Sequence, residues 1–595
     1  MRPQRRATQV QMRPPVTPRG PDETPAGRSL FSPFTDVLLV LAVPAGILVL
    51  DHQWMFPGAQ RDPWIYLGYF KAAPEWIKAF PGAYFGTRLS VILPGLFLHS
   101  LLPTLAAQLS LHLALAWLAL LSFYGVASAL FGRPPALLAT ICLGCQPFFL
   151  FSVGENYVDG FGIAYFLASL LAATAAARGR WKPGLLAAGA LGAAIVTANL
   201  YYVIYLPVVA VHFIVLNRTA SRRPLLRSFA WATAAASGAF LAFGIVSKIM
   251  GGRFLYLIPS TAFATTFIKS ANPFWIPPAT WLRHATWLVF PAMVLLGALA
   301  TVISLRMHPR KEPTGLLLYT QVLFIGFPAV MFASFPLSPT VVFQQWYYAS
   351  LMLPLAALAI AGQLSLARDR HPRRSIHFAW VAGVVLVASF AIRTPKSLLS
   401  HHGPTVLVPL LAFLPAIAVV ISRTTGTAAR LVFVLSLAAS SIVARDLFPQ
   451  SGDFDRFGGD RAQIFLQVDR SVSAYRSFDR SGELFFWFDE AEEKGVLFDM
   501  IAATSLSGWR IVTMGFPLFV PGGLTANGTP VTPGMKIVVL SARETAWPEA
   551  EQAIRSLSLR ARKLHEDLIE GAAGPFRMIF LEVLAPRSQQ APAPA

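Results

Sequence analysis

Five carboxylates, Asp51, Asp62, Glu75, Glu155 and Asp159, fall in two stretches of a long region that is otherwise almost free of acid. Between residues 34 and 444 the only others are Asp36, Glu312 and Asp369. A carboxylate beside apolar helices is costly unless it is solvated, paired or used. Asp62, in RDPWIYLGYF, can be a general base; Asp followed by Pro is also a common helix start. Glu155 and Asp159, in GENYVDGFG, stand at i and i+4 and share a face if that turn is helical. Two acidic loops that converge can hold a divalent cation through oxygen, or one carboxylate can act as a base; the sequence leaves both open. Asp51 closes an apolar run, where a polar stop is expected in any case. Arg88, in YFGTRLSVILP, can neutralise a lipid phosphate or simply snorkel to the interface. Lys269 stands with Lys248, Arg253, Arg283 and His284 among tryptophans in the stretch 248–284.

These residues need a scaffold, and the composition says which. The chain is 55% hydrophobic and 13% charged over 595 residues, against about 25% charged in soluble domains. An α-helical polytopic membrane protein is expected. Apolar runs long enough for spans lie at 34–50, 104–127, 135–151, 160–177, 184–198, 200–216, 229–247, 285–305, 315–335, 346–366, 377–392, 404–422 and 430–444, thirteen in all. The pair within 184–216 has basic flanks on both sides, so parity favours a tight hairpin with its tip near Asn199. The net charge of +20 comes from short basic clusters between apolar runs, which is the positive-inside pattern and excludes a nucleic-acid patch. With the N-terminus inside, the loops 51–103, 152–159 and 248–284 lie outside, in a bacterium the periplasm. Residues 64–80 mix aromatics with lysines and suit a helix in the interface plane, broken in two by Pro74. Cys142 and Cys145 share a helix face and read as small core residues. His112 and Lys248, polar oddities of the spans, have plain readings as packed or interfacial residues.

The tail 1–33, rich in Pro and Arg, reads as a disordered cytoplasmic segment, and 586–595 as a disordered end. After Ala444 the composition turns acidic, with nineteen of the 29 carboxylates in the remainder. Residues 445–585 read as a periplasmic α/β domain: strands at 483–488, 509–514, 536–541 and 576–584, helices at 489–504 and 547–571. Its acids read as caps and solvated helix faces.

The pattern Asp62, Tyr66, paired interfacial helices, then Tyr84, Phe85 and Arg88, followed by Asp159 opening a span and by Tyr347, Tyr348 and Pro354 in QWYYASLMLPLAALA, resembles the GT-C superfamily of integral-membrane glycosyltransferases. The likeness is to the protein-mannosyltransferase and aminoarabinose-transferase branch and covers most of 34–370. It implies a sugar taken from a polyprenyl phosphate and passed, with inversion, to an envelope glycan, lipid or protein at the periplasmic face of the inner membrane. It implies Asp62 as base and Arg88 on the donor phosphate. Glu155 and Asp159 would support the site or, with Asp62, hold Mg or Mn. Asp51, Tyr66, Tyr347, Tyr348 and Lys269 would line the substrate site. The chain departs from the family in having Gln345-Trp346 before the tyrosines and Thr87-Arg88-Leu89 in place of Lys-Pro-Pro. The alternative is a transporter or flippase for a lipid-linked substrate, which would favour charges mid-span and paired broken helices. A scaffold whose C-terminal domain binds a partner would make the loop carboxylates dispensable.

Overall fold

The computed structural model of the protein describes residues 33–50, 55–56, 61–155, 157–179, 181–217, 222–269, 350–351, 353–370, 465–471, 484–488, 530–570 and 574–586. The first apolar run forms α1 (Pro33–Leu50) and the aromatic stretch after it α2 (Arg61–Ala79). Helix α2 breaks at Ala72, whose φ of −149° and ψ of 51° are not helical. Pro74 is the cause, since its ring and missing N–H disrupt the turn before it. A 3₁₀ turn (Tyr84–Thr87) leads to α3 (Leu89–Leu101), an apolar helix of 13 residues. Helices α4 (Thr104–Phe131), α5 (Arg133–Gly144), α6 (Pro147–Gly154) and α7 (Val158–Ala177) follow. Then come α8 (Trp181–Ala198), α9 (Tyr205–Leu216), α10 (Arg222–Ile249), α11 (Ile258–Lys269) and α12 (Leu353–Arg370). Among the described residues α4, α7 and α10 are long and apolar enough to cross a membrane.

Two expectations from the apolar runs need correction and one is met. The run 135–151 is two helices, because the chain leaves α5 at Cys145 and Gln146 and restarts at Pro147, a residue favoured at helix starts. Both cysteines are outside any disulfide and buried, as core residues. The expected loop 51–103 contains α3, which packs against α4 and α8. The hairpin within 184–216 is present: Asn199 separates α8 from a short 3₁₀ segment and α9, and its Oδ1 accepts from the Tyr201 amide at 3.2 Å. The expected spans at 285–305, 315–335, 377–392, 404–422 and 430–444 lie outside the described residues.

Close helix contacts come from glycine. A Cβ at Gly160 would meet the Ser152 carbonyl oxygen at 2.2 Å, and one at Gly189 the Ala232 oxygen at 2.0 Å. Helix α7 therefore lies backbone to backbone on α6, and α8 on α10. The end of α4 and the start of α1 meet through Asp36, whose carboxylate accepts from Arg133 Nε (2.8 Å), Arg133 Nη2 (2.6 Å) and the Tyr124 hydroxyl (2.7 Å). This is one end of the helical body, and the acidic loops occupy the other.

The C-terminal part contains α13 (465–471), β1 (Leu484–Phe488), β2 (Lys536–Ser541), α14 (Ala546–Ser556), β3 (Arg560–Glu570) and β4 (Pro575–Leu584). The strands form one sheet in the order β1-β2-β4-β3, with β1 and β2 parallel and the other pairs antiparallel. Period-two alternation gives the sheet two apolar faces. Ile537, Val539, Ile579, Leu581 and Val583 pack with α14. Val538, Leu540, Met578 and Phe580 share a core with Phe465 and Val468 of α13. The single helix expected at 547–571 is instead α14 followed by β3. Ala550, Ile554, Leu557, Ala561, Leu564 and Leu568 keep helical spacing, but Ser558 takes a positive φ of 61° that ends the helix. Pairing with the whole length of β4 then claims the second half. The helix at 489–504 and strand at 509–514 fall outside the described residues.

Candidate functional site

The acidic end is assembled from three separate segments. Asp62 lies in the first turn of α2, half-buried, with Tyr66 fully buried one turn on. Arg88 caps α3 and is 9% exposed. Asp159 lies in the first turn of α7, and Glu155 in the turn before it; both are buried.

Arg88 is the meeting point. Its Nη1 donates to the Tyr66 hydroxyl. Its guanidinium carbon lies 4.9 Å from the centre of the Tyr84 ring and 5.6 Å from that of Tyr66, so two aromatic faces flank the cation. Tyr157, between the two acids of the second loop, brings its ring to 6.3 Å from Tyr66. The first and second acidic segments therefore converge. Burial by itself would lower the guanidinium's hold on its proton; Tyr66, Tyr157, Tyr84 and Asp62 outweigh it and raise its pKa, so Arg88 is a permanent cation. Burial also raises the Tyr66 phenol well above its ordinary value, against the opposing pull of Arg88, so it stays neutral and can accept. Arg88 is also electrostatically coupled to Asp159.

Asp159 is held by a residue that the sequence reading passed over. The Tyr202 hydroxyl, from the 3₁₀ tip of the α8–α9 hairpin, donates to Asp159 Oδ1. Gly162 makes this contact fit, because a Cβ there would stand 2.3 Å from the Tyr202 ring. The signal available was the Tyr201-Tyr202 pair beside Asn199 at the expected hairpin tip. The loop is also pinned from below. His112 Nδ1 stands 2.7 Å from the Val153 carbonyl oxygen, so it donates, and Nε2 accepts from Gln108 Nε2 at 2.8 Å. Gln108 Nε2 in turn reaches the Met55 oxygen at 2.9 Å. His112 is thus a packed residue that ties α4 to both outer loops.

Helix α11, from the stretch 248–284, covers the 3₁₀ turn. Phe263 stacks on Tyr84 with ring centres 4.3 Å apart, and Thr87 hydrogen-bonds both Ser260 and the Tyr84 carbonyl, the latter at 2.7 Å. Tyr84, one wall of the cation's box, is thereby fixed from both sides. Lys269 ends α11, with its side chain outside the described residues; Asp51, Tyr347 and Tyr348 also lie outside them.

Two expectations about the acids change. Glu155 and Asp159 do not share a helical face, because α7 begins at Val158 and Tyr157 before it is extended, with φ −119° and ψ 162°. Nor do Asp62, Glu155 and Asp159 come together as a group that could hold a metal ion; none of three or more His, Cys, Asp or Glu exists among the described residues. The arrangement that is present is a buried cation between a half-buried carboxylate on α2 and a buried one on α7. It can bind an anion at Arg88 and take a proton at Asp62.

No protein family and no curated protein matches the sequence. The chain is similar to solved structures of ArnT from Cupriavidus metallidurans. In the apo state the TM-score is 0.47 at 14% identity, over 92% of this chain and 97% of that one. Bound to undecaprenyl phosphate it is 0.44 at 13% identity, over 92% and 98%. It is also similar to the oligosaccharyltransferase of Archaeoglobus fulgidus, in complex with Zn and sulfate, with TM-score 0.41 and 14% identity over 85% and 67%.

Proposed function

We propose that the protein is a membrane glycosyltransferase that moves a sugar from a polyprenyl-phosphate donor to a hydroxyl-bearing acceptor of the cell envelope, with inversion, on the periplasmic face of the inner membrane. The observation that carries this reading is the Arg88 guanidinium, buried in an aromatic box beside Asp62 and Asp159 at the acidic end of a bundle of apolar helices. A polyprenyl tail fits an apolar bundle, and its phosphate needs a fixed cation at the edge of that bundle. Arg88 supplies one that is already desolvated, where its charge acts more strongly than it would in water.

The reaction follows from these positions. The acceptor oxygen attacks the anomeric carbon from the face opposite the phosphate. The new C–O bond forms as the bond from carbon to phosphate oxygen breaks, and that electron pair leaves with the phosphate beside Arg88. The acceptor's proton passes to Asp62, the less buried of the two carboxylates that flank the cation. Asp159, engaged by Tyr202, is fixed in position within electrostatic reach of Arg88. Among the described residues the three carboxylates do not group into a metal site, so no step is routed through a metal; Arg88 supplies the positive charge that meets the leaving phosphate.

The test is sugar transfer in membranes holding wild-type protein or Asp62→Asn at equal abundance, with a panel of radiolabelled polyprenyl-phosphate sugars. Wild type should transfer label to an envelope acceptor, and Asp62→Asn should lose about 10²–10⁴-fold, the usual contribution of a general base. Equal rates in both would remove Asp62 from the chemistry. No transfer from any donor by wild type would sink the enzyme reading.

A further inference from the structure

Helix α13 belongs by sequence to the acidic C-terminal part, yet it sits between the sheet and α2. On one side Phe465, fully buried, meets Phe56 edge-on with ring centres 5.0 Å apart, and Trp64 at 6.4 Å. Trp64 follows Asp62 by two residues. A turn further along α13, Asp469 Oδ1 stands 3.6 Å from Lys71 Nζ, with the lysine side chain only 6% exposed. On the other side Val468 shares the core of Val538, Leu540, Phe576, Met578 and Phe580. Gln467 Oε1 accepts the Glu570 amide of β3 at 3.1 Å. The two contacts with α2 fall on its longer, N-terminal arm, before the break at Ala72, and that arm carries both Asp62 and Tyr66.

We propose that α13 is a clamp through which the C-terminal domain sets the position of the Asp62 arm, with Phe465 and Asp469 as positioning residues acting through Trp64 and Lys71. The arm is a separate helical piece from the residues after its break, since Ala72 and Pro74 interrupt the hydrogen-bond ladder there. A contact at Trp64 and a charge pair at Lys71 hold the arm at two points on the same side of that hinge, which fixes its direction as well as its distance. The lysine end of the pair is shielded, while Asp469 is 24% exposed, so loss of Asp469 leaves the Lys71 ammonium without this partner at a buried position and weakens the arm's anchorage.

The clamp is independent of whether the site transfers sugar, although its catalytic consequence rests on that reading. The experiment therefore uses two readouts on full-length protein in membranes, comparing wild type, Asp469→Leu, Asp469→Glu and Phe465→Leu. Amide hydrogen exchange of α2 should accelerate at least tenfold in Asp469→Leu and Phe465→Leu, while α7 stays within twofold of wild type. Asp469→Glu, which keeps the charge, should return α2 to within about threefold. In the transfer assay the Leu variants should lose kcat about tenfold, since the arm that moves carries Asp62. Unchanged exchange in α2 in both Leu variants overturns the clamp, whatever the activity. Acceleration of α7 together with α2 shows general loosening and also overturns it. Accelerated α2 with no transfer by wild type supports the clamp and defeats the glycosyltransferase reading alone.

Discussion

The two ends of the helical body use the same three residue types and arrange them in opposite ways. At the basic end, Arg133, Asp36 and Tyr124 are fully matched: one buried carboxylate takes two guanidinium N–H groups and a phenol at 2.6–2.8 Å. At the acidic end, Arg88 donates to the Tyr66 phenol and Asp159 accepts from the Tyr202 phenol. There each of these two side chains is engaged by a phenol from another segment of the chain. The first cluster has spent its charges on each other and locks α1 to the end of α4. The second sets a buried cation between aromatic rings near two acids, the kind of surrounding in which polar groups do chemistry. Residue type does not separate the two; the partner of each charge does.

The comparison breaks first at the arginines. Arg88→Gln should lower sugar transfer by about 10²–10³-fold, the range seen when a charge-stabilising donor is removed from an active site, with little change in thermal stability. Arg133→Gln should do the reverse. It removes two charge-assisted bonds from buried Asp36 and should cost on the order of 2 kcal/mol, read as a lowered Tm, while surviving folded protein keeps near-normal transfer. If Arg133→Gln abolishes transfer at undiminished Tm, the basic end is functional and the contrast drawn above is wrong.

A smaller effect sharpens it at the tyrosines. Tyr202→Phe removes the hydroxyl from Asp159 and should lower transfer about tenfold, about 1.4 kcal/mol and at the low end for a hydrogen bond to a charged group. Gly162→Val should reproduce that loss at least in full by displacing the Tyr202 ring. The smallest effect is expected for Tyr124→Phe. Asp36 keeps both arginine bonds there, so less than about 1 kcal/mol of stability and no activity should be lost. Equal activity losses in Tyr124→Phe and Tyr202→Phe would erase the distinction between the clusters.

Several parts of this arrangement were legible from residue types. The scarcity of acid between 34 and 444 marked the two segments that converge on Arg88. Basic flanks on both sides of 184–216 required a hairpin, and it turns at Asn199. Pro74 foretold a broken α2. Other parts were not. Glu155 and Asp159 have helical spacing but are separated by an extended Tyr157, because four residues are too few to say where a helix begins. Residues 547–571 have helical spacing throughout but split between α14 and β3, since only the neighbouring β4 tells the second half to pair. The metal set of Asp62, Glu155 and Asp159 was plausible on donor type alone, and the donors do not converge on one point.

The sequence by itself determined what depends on solvent and on the next few residues. Apolar runs, basic flanks and the acid-poor body are local matters of transfer free energy, and so are the helix breaks at proline. Only the tertiary structure decided which charge faces which partner. Arg88 and Tyr66 are 22 residues apart, Asp159 and Tyr202 are 43, and Lys71 reaches across the chain to Asp469. Such pairings depend on helices being brought together by packing, with Gly160 and Gly162 admitting a backbone and a ring that any side chain would exclude. Whether a buried arginine becomes a lock or a binding site is settled by that packing, because only there is the cation's partner chosen.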